Sequence, residues 1–345
     1  MTLLFSLFAI SCGGDSNTDT SDSDQDNIIS IQAPDDSIVV FAASDVEQST
    51  IDHTLLWLEK AQDLWFTEET FGWEHDLYSP IYLVLVGEDM QATIDLEEQY
   101  CDHLNENHPV SVEYSRCNYI DPNCEHGICL FTEYVTNGGA GIASSRQNDG
   151  YHLMIMAAKN PSPEEEDYNK VVLHEAFHIY QLSQHNETDY DSAEEIMGRL
   201  SGDHSEHVPW WSEGTAEYMA VYEYSLQAGV DGDYFENEMR NKIGYHEGNS
   251  EAYVINEYVD HNTKLYNITF DDNGHLAYHL GSWLVAYLVD SHGQQSIFDF
   301  YQNAHQMSFD ENFTARFGQD YRTIIDEFED FLLQEDKEQL LDILR

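Results

Sequence analysis

Basic residues are what this 345-residue chain has least of: 13 Lys and Arg stand against 66 Asp and Glu, a formal net charge of −53. Nucleic acid and anionic membrane surfaces would be repelled by such a chain and are excluded as partners. The acidic side chains are spread over the whole sequence. They read either as attraction for cationic substrates or calcium, or as a solvated, salt-adapted surface. Cysteines are few. Of the five, Cys101, Cys117, Cys124 and Cys129 fall in one short stretch whose spacing lacks the paired CxxC knuckles of a four-cysteine zinc site. Two disulfides are expected there, and four cysteines leave three connectivities open. What the chain does have is a folding composition, 41% hydrophobic and 13% aromatic, at a length that allows two lobes around a sizeable core.

Residues 1–14 read MTLLFSLFAISCGG, an apolar run too short to span a bilayer and ending in small residues before a cysteine. This resembles a bacterial lipoprotein signal. It implies a signal peptide over 1–11, lipidation of Cys12, and an exported protein held at the cell envelope, with the membrane met only through that lipid. Ser, Asp, Asn and Thr dominate residues 15–27, so 12–36 is expected to be an acidic, solvated tether.

Beyond the tether, Ser37–Ala43 (SIVVFAA) predicts a strand, and Val46–Trp65 carries Ile51, Leu55, Leu56, Leu58 and Leu64 at helical spacing. Pro80–Val86 (PIYLVLV) predicts a second strand. The cysteine-bearing stretch 101–129, rich in polar and turn residues, predicts a stapled loop. Gly141–Ser145 and His152–Ala157, separated by an Asn-Asp-Gly turn, predict a hairpin. Past residue 165 nearly everything reads as helix, ending in a packed helix pair within Phe309–Leu333. Strands first and helices afterwards imply an α+β chain: an N-terminal mixed α/β lobe over 37–183 that carries the active-site helix, then a mostly helical lobe over 184–345.

The chemistry concentrates in residues 171–181, VVLHEAFHIYQ. His174 and His178 lie one helical turn apart and project from one face, so both imidazoles can bind one metal ion. Glu175, offset by about 100°, can take a proton from an activated water. Imidazole nitrogen with a carboxylate nearby suits zinc. A third ligand is needed. The metzincin pattern would supply a histidine at position 184 after a glycine at 181, and both positions are glutamine. The better source is residues 209–220, PWWSEGTAEYMA, where Ser212 reads as an N-cap and Glu213 and Glu217 share one helix face. Glu213 is the expected third ligand, and Glu217 the expected acceptor for the second nitrogen of a ligand histidine. Asp231-Gly232-Asp233 and Asp271-Asp272-Asn273-Gly274 hint faintly at calcium and read as acidic turns.

The pairing of HExxH with WWSEGTAEY resembles the gluzincin metallopeptidases of the peptidase MA-like group, in which a WxxEGxAEY-like helix follows the histidine helix. Similar pairings occur in aminopeptidase N type enzymes and bacterial collagenases. The resemblance continues at residues 278–290, YHLGSWLVAYLVD, which is similar to the aminopeptidase YxKG segment, and covers about residues 165–335. It implies a zincin-like fold, one zinc ion, Glu175 as general base, and a tyrosine hydroxyl, here Tyr278, steadying the oxyanion, with His275 as a neighbouring donor. The interval from His178 to Glu213 implies an inserted loop over 184–208. No exopeptidase-type GxMEN segment is present, so an endopeptidase-like reaction on a peptide or protein substrate is expected. The competing expectation is a surface lipoprotein that keeps the zinc or calcium site and binds a partner. Glu175, which metal binding alone does not need, favours the enzyme.

Overall fold

The computed structural model describes residues 38–67, 80–118, 129–145, 149–163, 165–185, 187, 210–246, 251–268 and 273–345. The expected signal peptide and tether, Cys12, Cys124, Asp271, Asp272 and nearly all of the inserted loop 184–208 lie outside them. The chain is of mixed α/β type, with one small four-stranded sheet and mostly helix elsewhere. It divides into two compact units, Met1–Ala61 with Asp76–Glu175, and Gln62–His75 with Ala176–Arg345.

The elements of the first unit run β1 (Ile38–Ala42), α1 (Gln48–Trp65, its last turn beyond the unit), β2 (Ile81–Val86), α2 (Met90–Asn107), α3 (Val112–Cys117), α4 (Thr132–Asn137), β3 (Ala140–Ser144), β4 (His152–Ala157) and the start of α5 (Glu166–Ser183). The strand order is β1-β2-β4-β3, with β1, β2 and β4 parallel. β2 and β4 are buried at every position. Strands covered on both faces have no solvent side to alternate toward, which is why IYLVLV and HLMIMA read as unbroken apolar runs. The expected hairpin is present: β3 pairs antiparallel with β4, Gly141 opposite Ile155.

The stretch 101–129 departs from the expected loop. α2 continues through Cys101 to Asn107, and α3 ends at Cys117. Its start is capped by Asp89, whose side chain accepts from the backbone N–H of Gln91 and Ala92. Leu96, Tyr100 and Leu104 recur every fourth residue and enter the core beside Phe41, Tyr82, Val84 and Tyr151, and Glu97 beside them is also buried, accepting from the backbone N–H groups of Phe131 and Thr132. The Cys101–Cys117 disulfide joins the two helices, and Cys129 is also disulfide-bonded.

The second unit holds the end of α5, then α6 (Trp210–Ser225), α7 (Tyr234–Lys242), α8 (Tyr253–His261), α9 (Gly274–His292), α10 (Gln295–Gln302), α11 (Phe309–Phe317) and α12 (Tyr321–Leu332). α11 and α12 are the expected pair, started by a Ser308–Glu311 capping box and by Asp320. Ser212 is not the cap expected of it, because α6 already begins at Trp210. Both tryptophans are drawn into the core: Trp211 packs on Phe300 and Phe313 at ring distances of 5.0 and 5.2 Å, and Trp210 on Tyr321 at 5.6 Å. That aromatic anchor fixes the first turn of α6. α9 then meets α6 backbone to backbone, since a Cβ added at Gly281 would lie 2.5 Å from the Trp210 carbonyl oxygen and one at Gly214 would lie 2.6 Å from the Gly281 carbonyl carbon. No helix among the described residues is long and apolar enough to cross a membrane.

Candidate metal centre

On α5, Val172, Leu173, Ala176, Phe177, Ile179 and Tyr180 are wholly buried. A helix this enclosed leaves its polar side chains little water, so each must be satisfied inside the protein. His174, Glu175 and His178 are 8%, 3% and 9% exposed, and Glu213 on α6 is 6% exposed. One ligand atom from each of His174, His178 and Glu213 lies within 4.8 Å of the others, a group that could hold a metal ion. Nε2 of His178 is 3.1 Å from a carboxylate oxygen of Glu213. Two ligands of one tetrahedral zinc, each about 2.0–2.1 Å from the ion, would be about 3.3 Å apart. That edge is therefore already set, and two imidazole nitrogens with one carboxylate oxygen form a donor set that fits zinc with a fourth position left over. The helical spacing of His174 and His178 and the anchored first turn of α6 bring the three together, as the sequence motifs anticipated.

One contributor was not anticipated. The other ring nitrogen of His178, Nδ1, is 2.8 Å from Oε1 of Gln181. The Gln181 Nε2 group lies 2.9 Å from the Ser212 carbonyl, 2.8 Å from Thr215 Oγ1 and 2.9 Å from the Tyr301 hydroxyl, three acceptors for its two N–H groups. Gln181, Thr215 and Tyr301 are all buried. The sequence did carry a signal for Gln181, a polar residue three positions after His178 and on its face of an apolar helix. Nothing local flagged Tyr301, 120 residues further on.

Glu217 is ion-paired with Lys242 of α7. Tyr278 lies half-buried on α9, three residues before Gly281. His275 is exposed and 3.3 Å from Glu257. On the same helix, His279 is pushed down to about 4, first by burial and then by the Lys242 charge. In the first unit the Tyr134 phenol is held well above its usual range by burial, then by Glu133 and by Glu175 itself, so this half-buried phenol belongs to the electrostatic surroundings of Glu175. Its hydroxyl would lie 3.2 Å from a Cβ placed at Gly141 on β3. Asp231 and Asp233 form an acidic turn in which the Asp233 N–H donates to the Asp231 carboxylate at 3.3 Å, and neither belongs to a metal-holding group among the described residues. Comparison with known proteins gives no matching family model, no matching curated protein and no matching solved structure.

Proposed function

We propose that this chain is a zinc metallopeptidase of gluzincin type with a zincin-like fold, in which His174, His178 and Glu213 hold the ion. The observation that carries the proposal is the convergence of those three buried ligand groups, with Glu175 next to His174 on the same helix. Zinc, when bound, supplies Lewis acidity that polarises a peptide carbonyl and acidifies water. Glu175 takes the proton of the attacking water and passes it to the leaving amine. Tyr278 donates to the developing oxyanion. His275, exposed and paired with Glu257, is given no step. Export as a lipoprotein through Cys12 belongs to the same proposal, supported by the Cys101–Cys117 disulfide, a bond favoured in oxidising compartments.

The test is cleavage of a peptide library by the soluble form beginning after Cys12, beside Glu175→Gln and Tyr278→Phe. Glu175→Gln is expected to keep its zinc and lose at least about 10²-fold in kcat. Tyr278→Phe is expected to lose about 10²-fold in kcat at unchanged KM. Undiminished cleavage by Glu175→Gln removes the general-base assignment. A parent that holds zinc and cleaves nothing is a binding protein instead.

A further inference from the structure

We infer that Gln181 is the positioning residue of the metal centre: its amide selects the His178 tautomer that carries the proton on Nδ1 and the lone pair on Nε2, and ties that imidazole to the turn of α6 bearing Glu213. The inference rests on the metal-binding reading proposed above.

The polarity of the network sets the orientation of the Gln181 amide. The Ser212 carbonyl can only accept, so the group 2.9 Å from it must be the Gln181 NH2. Reversing the amide would set two oxygens against each other at that distance. With Nε2 so placed, Oε1 faces His178 Nδ1 at 2.8 Å and can only accept, so Nδ1 holds the proton. Thr215 Oγ1 gives its own proton to the Trp211 or Ser212 carbonyl, at 2.9 and 3.1 Å. It therefore accepts from Tyr301, 2.7 Å away, whose phenol burial holds well above its usual range and so keeps protonated. The donors of Thr215 and Tyr301 and of the Gln181 amide all find acceptors here, which holds the amide in one orientation and the Nδ1 proton with it. The Glu213 carboxylate 3.1 Å from Nε2 competes for a proton on that nitrogen, and an ion held between the two would relieve the competition. Ser212 immediately precedes Glu213, so a single amide holds the ring of one ligand and the backbone beside another. The amide does this without adding charge to the centre, and a carboxylate at 181 would be repelled by the Ser212 carbonyl.

Three variants separate positioning from packing. Gln181→Met keeps length without donor or acceptor, Gln181→Glu keeps an acceptor for Nδ1, and Thr215→Val loosens the amide while leaving Gln181 in place. Zinc affinity is measured by competition with a chromophoric chelator, and the His178 tautomer by 15N shifts of the metal-free protein. Gln181→Met is expected to weaken zinc binding by about 10–100-fold and to lose the Nδ1–H signature. Gln181→Glu keeps the acceptor for Nδ1 and recovers the Nδ1–H signature but only part of the affinity, because its carboxylate meets the Ser212 carbonyl, and Thr215→Val falls between the parent and Gln181→Met. Parent-like affinity in Gln181→Met overturns the inference, as does weakened affinity with unchanged His178 shifts, which would mean packing alone. Should Gln181→Met fail to fold, parent-like affinity and shifts in Thr215→Val overturn it equally. A parent that binds no zinc fails the metal reading itself, and the His178 shifts of the metal-free parent and Thr215→Val still decide the tautomer.

Discussion

Gly281→Ala is a substitution whose sign depends on the packing of α9 against α6. Inside an exposed helix, replacing glycine with alanine adds about 1 kcal/mol of stability through backbone entropy. Here the new Cβ would lie 2.5 Å from the Trp210 carbonyl oxygen, and a close C–H···O contact needs about 3.3 Å, so the helices must part by about 0.8 Å. The obstacle is backbone rather than the end of a flexible side chain, which puts the cost at the upper end of overpacking, about 3 kcal/mol. The net effect is a loss of about 2 kcal/mol, a fall in Tm of roughly 4–8 °C. Thermal unfolding followed by circular dichroism measures it, with Gly232→Ala as the control, since a Cβ there meets nothing within 4 Å. The displaced turn carries Glu213, so zinc affinity is expected to fall with Tm. A Tm equal to or above the parent's would refute the backbone contact and the reason given for glycine at 214 and 281.

Replacing Cys101 and Cys117 by serine opens a disulfide with a sequence separation of 16 and is expected to cost about 3 kcal/mol of unfolding free energy in urea. A loss below about 1 kcal/mol would mean that the reduced chain already holds α2 and α3 together. His279 predicts an acid sensitivity. Its folded-state value of about 4 lies below the ordinary 6.5, so the unfolded chain takes up the proton first as pH falls; stability is full above about pH 6.5 and declines toward about pH 4. Between about pH 7.5 and about pH 5 the parent is expected to lose about 2 kcal/mol more than His279→Gln, and equal losses would contradict the buried neutral imidazole. Burial lowers His103 and His108 in the same sense and raises Glu97 and Glu113 in the opposite one, which is why the difference between parent and variant is read rather than the parent alone.

The parts legible in the sequence were those where one local pattern decides the outcome. Ile81–Val86 and His152–Ala157 are apolar throughout because both faces are covered, and His174, His178 and Glu213 are placed by helical periodicity and by an aromatic first turn. α2 was hidden because its buried face, Leu96, Tyr100 and Leu104, is interleaved with acidic and amide residues, of which Glu97 is itself buried against the Phe131 and Thr132 N–H groups that no local pattern reports. The start of α6 was set by tertiary packing of Trp210 and Trp211, which overrode the capping preference of Ser212. Gln181 owes its role to Ser212, Thr215 and Tyr301, and no local pattern reports partners that far along the chain.

The central claim is that His174, His178 and Glu213 form one metal site. Elemental analysis of the soluble parent and of Glu213→Ala, both reconstituted with zinc and then desalted, tests it most directly. The account predicts about one zinc per chain in the parent and none retained by Glu213→Ala. A parent that retains no zinc, or a Glu213→Ala variant that retains it as well as the parent, would contradict it.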